Sequence, residues 1–216
     1  MERDDVNLKA NEFFIFFCLL IYMMFKILEL FNGTKSVSKV AEHLGFDVIS
    51  LDLRNADINC DILHWDYNCF VPGEFYFIWA SPPCTEYSRA KTVGHRDIEY
   101  ANQIVLKTLE IISYFNPTYW VIENPQTGLL KHQYFMNDLP YNDVDYCKYG
   151  MPYRKRTRLW NNIPNFTPLP LCKKDCNSMV GNRHISTGQH DSNTTRDLYA
   201  IPPQLIFNIF QSIVIT

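Results

Sequence analysis

The order strand, glycine turn, helix, strand, packed into about thirty residues from Lys26 to Leu53, constrains the fold of this chain more than any other feature. Residues 26–31, KILELF, form a short apolar run ending in Asn32-Gly33-Thr34, which reads as a buried strand entering a turn. Val37, Val40, Ala41 and Leu44 then recur at helical spacing, and Gly45 stands where the helix stops. Residues 46–53, FDVISLDL, read as a second strand. A doubly wound nucleotide-binding sheet opens in this way, and such sheets hold ligands beyond the carboxyl ends of their strands. Asp52 falls at such an end, where an ionised carboxylate accepts from ribose hydroxyls; a solvated loop acid is the plain alternative. Asp61, in Cys60-Asp61-Ile62, is a comparable candidate.

Further along, residues 75–80 (FYFIWA) read as a central strand running into Ser81-Pro82-Pro83-Cys84, where the prolines forbid both ladder pairing and helix. Ile98, Ala101, Ile104, Val105, Leu109 and Ile112 mark a long helix. The strand Tyr119 to Ile122 follows, and then a second strand-tip loop, Glu123-Asn124-Pro125. Loops at neighbouring strand tips can face one pocket. Two prolines hold Cys84 rigidly at its tip, which suits a nucleophile better than a packing thiol, although a half-buried structural thiol is the alternative. Glu123, behind the apolar Trp120-Val121-Ile122, is expected to be desolvated, and a protonated carboxyl can donate to a ring nitrogen. After residue 160 the regular pattern fades, until residues 205–215 read as a closing helix.

The bulk properties narrow the class. With 216 residues, 47% of them apolar and 15% aromatic, the chain can bury one main domain. A formal charge of −3 and a pI near 6.1 exclude a surface that clings to phosphate everywhere, so nucleic-acid contact needs a local basic patch. Lys148, Arg154, Lys155, Arg156 and Arg158 form one, with no acid among residues 146–160. Seven irregularly spaced cysteines point to a reduced, intracellular protein of cytoplasm or nucleus, not a secreted one. The apolar run from Phe13 to Phe25 is short for a bilayer and lacks the flanks of a signal peptide, so no stable membrane partner is expected.

Taken in order, ELFNGT, SPPC, IENP and RKRTR resemble the motifs of the DNA cytosine-5 methyltransferase family, the short viral versions being nearest. The likeness covers residues 26–160, and residues 200–205, AIPPQL, are similar to the family's closing motif. It implies an α/β fold, a doubly wound Rossmann-like S-adenosylmethionine-dependent methyltransferase sheet with a small irregular C-terminal insert. Residues 1–25 would be an apolar extension, 26–160 the catalytic and cofactor-binding domain, 161–198 the insert, and 199–216 a helix packing back. The resemblance also implies roles. Phe31, Asn32, Gly33 and Thr34 would line the S-adenosylmethionine pocket, with Asp52 on the ribose, Asp61 near the adenine, and Ile62 and Pro82 as further cofactor contacts. Cys84 would attack carbon 6 of cytosine while Glu123 engages ring nitrogen 3. Arg156 and Arg158 would orient a base flipped out of its stack, since carbon 6 cannot be reached within one. Ser88, Asn124, Arg154 and Lys155 would contact the substrate. A monomer acting on DNA is implied, with RNA as the alternative polymer.

Several positions depart from the family pattern. Lys35 stands where a second glycine is usual. Arg154 and Lys155 occupy the place of a glutamine, one residue further from Pro152 than expected, and Leu198-Tyr199 replaces a glycine-asparagine pair. Where family members carry a target-recognition domain, only about forty residues remain, which implies short or loose sequence preference. Within that stretch Cys172, Cys176, His184 and His190 are candidate tetrahedral zinc ligands, with Cys147 a substitute; free surface cysteines and solvated histidines are the alternative. Thymidylate synthase also uses a Pro-Pro-Cys thiolate, but Thr85 stands where it has histidine, and it lacks the glycine turn and the ENP loop. A catalytically silent S-adenosylmethionine- or DNA-binding module is the reading from another class; retention of both Cys84 and Glu123 speaks against it.

Overall fold

The computed structural model of the chain describes residues 25–186 and 198–214. β1 (Lys26–Leu30), β2 (Asp47–Asp52) and β3 (Ile58–Asn59) lie side by side in parallel, while β4 (Phe75–Ala80) and β5 (Tyr119–Pro125) extend the sheet, also in parallel, from the other edge of β1. β6 (Tyr141–Asp145) and β7 (Arg156–Asn161) complete the order β3-β2-β1-β4-β5-β7-β6, with β7 antiparallel to both neighbours. This is the doubly wound, Rossmann-like α/β sheet expected from the sequence. Its strand order reverses between β1 and β4, the place where such sheets open a ligand crevice.

The period-two alternation of a strand assigns side chains to two apolar layers. On one face Ile27, Phe77, Trp79, Val121 and Leu159 pack with α1 (Ser36–His43) and with the closing α3 (Pro203–Val214), through Val37, Ala41, Leu205, Ile209 and Phe210. On the other, Leu28, Leu30, Ile78, Ala80, Ile122 and Trp160 pack on α2 (Ile98–Phe115), through Ala101, Ile104, Val105 and Ile112. Strands buried on both faces read as continuous apolar runs, which is why FYFIWA was recognisable. α2 is stopped at both ends: Asp97 Oδ1 accepts the Tyr100 N–H at 2.9 Å, and Asn116 turns left-handed at φ 45°.

Glu29 interrupts the apolar run of β1 for a local reason. α1 has no capping side chain of its own, and the buried Glu29 carboxylate accepts from the backbone N–H groups of Val37 (3.4 Å) and Ser38 (2.8 Å) and from the Ser38 hydroxyl. Burial pushes its pKa up, and the bonds from Ser38 and Val37 offset part of that shift.

Two segments differ from the sequence reading. Glu123-Asn124-Pro125 is the end of β5 and not a loop, because β7 pairs it in antiparallel register, Glu123 with Leu159, Asn124 with Arg158 and Pro125 with Thr157. The end of the basic stretch, Arg156 and Arg158, likewise lies in the strand β7, while Lys148, Arg154 and Lys155 precede it. Residues 161–186 hold one short hairpin, β8 (Met179–Val180) with β9 (Arg183–His184). Of the N-terminal apolar run only Phe25 lies among the described residues, and its ring stacks on Tyr76 at 4.1 Å. Among the described residues no helix is long and apolar enough to cross a membrane.

Candidate active site

The carboxyl ends of β1, β2, β4 and β5 open into one cavity of about 1090 Å³. Its floor is the turn after β1, where Phe31 (φ 64°), Gly33 (φ 28°) and Lys35 (φ 56°) all have positive φ. Lys35 occupies a conformation that glycine takes at no cost, which accounts for the glycine usual there. Asp52 braces the turn: its Oδ2 accepts the Gly33 N–H at 2.9 Å and its Oδ1 the Leu53 N–H at 2.7 Å. Asn32 is 2% exposed, lines the cavity, and among the described residues has a partner for neither side-chain amide atom. A buried amide left unpaired costs about 1–3 kcal/mol, so the turn is built to receive hydrogen bonds from a ligand. Thr34, Asp61 and Ile62 line the same space, Asp61 also capping the turn Ile62–His64 by accepting the Leu63 N–H at 3.0 Å.

The second half of the cavity is reactive. Pro82 and the half-buried Cys84 enter it from the β4 tip, and the buried Asn124 ties that loop to β5 by donating from Nδ2 to the Pro82 carbonyl at 2.9 Å. Glu123, 6% exposed, faces the same space and accepts from the Tyr146 hydroxyl at 3.0 Å on Oε1. The Lys155 ammonium lies 3.7 Å from that oxygen, above the Tyr146 ring, and also donates to the Leu198 carbonyl at 3.4 Å. Burial pushes the Cys84 thiol up and the Glu123 charge adds to this, while Lys155 acts against both. A thiol, a carboxyl group and an ammonium thus line one pocket large enough for a small-molecule ligand.

The chain is 37% identical over 211 residues to the probable DNA (cytosine-5)-methyltransferase of Frog virus 3 (isolate Goorha), covering 85% of this chain and 98% of that relative. The chain belongs to the DNA (cytosine-5)-methyltransferase family. No family profile matches it. Among solved structures it is similar to a prophage-encoded E. coli protein assigned as a DNA modification methyltransferase (TM-score 0.50, 16% identity, 68% of this chain and 52% of that one). A mutant of Spodoptera frugiperda DNMT2 also matches (TM-score 0.45, 17% identity, 69% and 53%). The first likeness bears on the fold alone. The chain spans about half the length of these solved structures.

In this cytosine-5 methyltransferase family member, the expected residues divide into two groups. Phe31, Asn32, Gly33, Thr34, Asp52, Asp61, Ile62, Pro82, Cys84, Glu123 and Lys155 line the one cavity. Arg156, Arg158, Arg154, Ser88 and Asn124 do not. Arg156 is held bidentate by Asp145 (3.0 and 2.7 Å) and Arg158 by Asp143 (2.8 and 3.0 Å), across the β6–β7 pair. Arg158 also lies over the Tyr141 ring, 3.5 Å from its centroid. Arg154 is exposed. Ser88 sits within the loop after Cys84, where Arg96 gathers the carbonyls of Glu86, Ser88 (2.9 Å) and Lys91 (3.0 Å).

Sequence reasoning missed Tyr146, Asp143, Asp145 and Glu29. A signal existed for the two aspartates: Asp143-x-Asp145 and Arg156-x-Arg158 are both period-two pairs of opposite charge, the pattern of cross-strand partners. Tyr199, one of the departures from the family pattern, lines the cavity beside Ile201, whose N–H donates to the Ser36 hydroxyl at 3.1 Å.

A second cluster lies outside the cavity. Ligand atoms of Cys147, Cys172, Cys176 and His184 lie within 4.8 Å of one another, with Cys172 Sγ and His184 Nε2 3.6 Å apart. Three of the expected zinc ligands are therefore brought together, and Cys147 takes the fourth place; His190 lies outside the described residues.

Proposed function

We propose that this chain transfers a methyl group to carbon 5 of cytosine in DNA, with Cys84 as the nucleophile. The observation that carries the reading is that Cys84 and Glu123 line the same cavity as the partnerless amide of Asn32 and the carboxylate of Asp52. S-adenosylmethionine supplies the methyl group when bound, held by Phe31 to Thr34, with Asp52 on the ribose and Asp61 and Ile62 toward the adenine. The orphaned Asn32 amide, two carboxylates at strand tips and a cavity of about 1090 Å³ fit such a nucleoside.

The Cys84 thiolate adds to carbon 6 of a flipped cytosine, as covalent catalysis requires. Glu123 hydrogen-bonds or protonates ring nitrogen 3, so that carbon 5 becomes nucleophilic and takes the methyl group. Loss of the carbon-5 proton to water, return of the ring-nitrogen proton to Glu123 and expulsion of the Cys84 thiolate restore aromaticity. In the resting chain burial and the Glu123 charge hold Cys84 as a thiol, so its deprotonation is favoured by Lys155 and by a proton on Glu123, the proton that Glu123 then shares with ring nitrogen 3. Arg156 and Arg158, fixed by their aspartates, are rigid cationic supports for the backbone around that base, and Arg154 is free to reach phosphate. Residues 161–198 stand in for a target-recognition domain. Zinc is the ion that suits three thiolates and an imidazole, and we assign it to Cys147, Cys172, Cys176 and His184.

Incubation with labelled S-adenosylmethionine and DNA or RNA oligonucleotides, followed by digestion to nucleosides, tests the reading. Label in 5-methylcytosine from DNA is expected. Label from RNA alone replaces the polymer, and no label from either, with the cofactor bound, leaves a silent module.

A further inference from the structure

Three consecutive residues leave the end of β6 with three different destinations. Asp145 is fully buried, and its carboxylate serves two partners: Arg156 on both oxygens, and the Cys172 N–H, which donates to Oδ2 at 2.9 Å. Tyr146, also fully buried, donates its hydroxyl to Glu123 at 3.0 Å. Cys147 turns its sulfur into the Cys172, Cys176 and His184 cluster. The residue that touches the active-site carboxyl group is therefore flanked on both sides by residues fastened to the cluster, Cys147 by its sulfur and Asp145 through the Cys172 amide.

Apart from the buried Ile163 and Phe166, the Leu169 N–H donated to the Tyr149 hydroxyl (2.8 Å) and the Lys148–Asp175 ion pair (3.2 Å), few contacts hold this region among the described residues. Between residues 161 and 186 the only paired strands among the described residues are the two-residue β8 and β9. They attach next to the arginine strand by backbone and hydroxyl contacts: Ser186 N–H to the Pro152 carbonyl (3.0 Å) and the Ser178 hydroxyl to the Met151 carbonyl (2.7 Å). Ordering each residue costs about 1–2 kcal/mol of backbone entropy, which these contacts offset only in part. Three sulfurs and an imidazole converging on one point add to the offset once a cation binds them, because the binding free energy of such a site is also folding free energy.

We propose that a tetrahedral thiolate-binding divalent cation, zinc by its donor set, is the positioning centre of this active site: it fixes the turn that delivers the Tyr146 hydroxyl to Glu123 and the Asp145 carboxylate to Arg156. This rests on the zinc reading above and adds a catalytic consequence to it. Tyr146 and Lys155 both address Oε1 of Glu123, so the carboxyl group is steered from one side and its orientation toward the base depends on where the turn stands. Outer supports of this kind typically change activity about ten- to a hundredfold.

The test uses the whole protein, prepared without chelators. Metal analysis is expected to give one zinc per chain, and replacement by cobalt an absorption spectrum of tetrahedral thiolate coordination. Removing the metal should lower kcat about tenfold or more and raise the KM for DNA while S-adenosylmethionine affinity stays unchanged, and added zinc should restore both. Because the metal-free chain could unfold, Tyr146→Phe and Asp145→Asn are measured with zinc in place. Tyr146→Phe should keep the cobalt spectrum and cofactor affinity and lose kcat; Asp145→Asn, which still accepts the Cys172 N–H, should raise the KM for DNA. Absence of bound zinc overturns the metal reading and the proposal together. Bound zinc with kcat and KM unchanged in both variants leaves the metal reading standing and overturns the positioning role.

Discussion

Cys84 sits between charges of opposite sign, and each can be removed singly. Burial and Glu123 raise its pKa, and Lys155 lowers it. Its reaction with iodoacetamide, followed on the Cys84 peptide by mass spectrometry, should therefore rise with pH through a midpoint above the ordinary thiol value of about 8.5. Glu123→Gln should move that midpoint down and Lys155→Met should move it up; identical profiles for all three proteins would show that neither charge acts on the thiol. Asp52→Ala removes the acceptor of the Gly33 N–H as well as the expected ribose partner. It should weaken S-adenosylmethionine binding by about 1–3 kcal/mol in calorimetry, and an unchanged affinity would remove Asp52 from the cofactor site. Cys84 and Glu123 were legible because prolines and strand tips leave marks in sequence. The Tyr146 contact was not, since nothing local says that residue 146 reaches residue 123.

The elements carry strain and charge that the residues alone do not. Lys35 holds a left-handed conformation at the entrance to α1, so Lys35→Gly should raise stability by about 1 kcal/mol, measured by urea unfolding, whereas a loss would mean that its side chain contributes more than its backbone costs. Glu29 has a raised pKa in the folded state, so the native chain binds that proton more tightly than the unfolded chain. Its contribution is present below the unfolded value of about 4.3 and is lost as pH rises through the higher folded one. The difference in unfolding free energy, wild type minus Glu29→Gln, should fall across that window; a flat difference would contradict the assignment. β1, α1, β2, β4 and α2 were readable because both faces of the sheet are covered and helical spacing is regular. β6 was not: YNDVD looks like a polar loop, and its two acids are tolerated in a strand only because Arg156 and Arg158 lie opposite.

At the scale of the molecule, the switch between β1 and β4 puts the turn after β1 and the Pro-Pro-Cys loop side by side, and β7, by running antiparallel to β5, brings Lys155, the residue just before it, back to the same cavity. The antiparallel return could not be read from the sequence, because pairing of strands far apart in the chain leaves no local pattern. The central claim is that Cys84 bonds to carbon 6 of cytosine. DNA carrying 5-fluorocytosine tests it most directly, because methylation proceeds but elimination cannot, leaving protein and DNA joined. Wild-type protein with S-adenosylmethionine should give an adduct that survives denaturing electrophoresis, and Cys84→Ser none, since no comparable nucleophile replaces the thiolate. A cofactor-dependent adduct formed equally by Cys84→Ser, or none from the wild type with either DNA or RNA, would contradict the account.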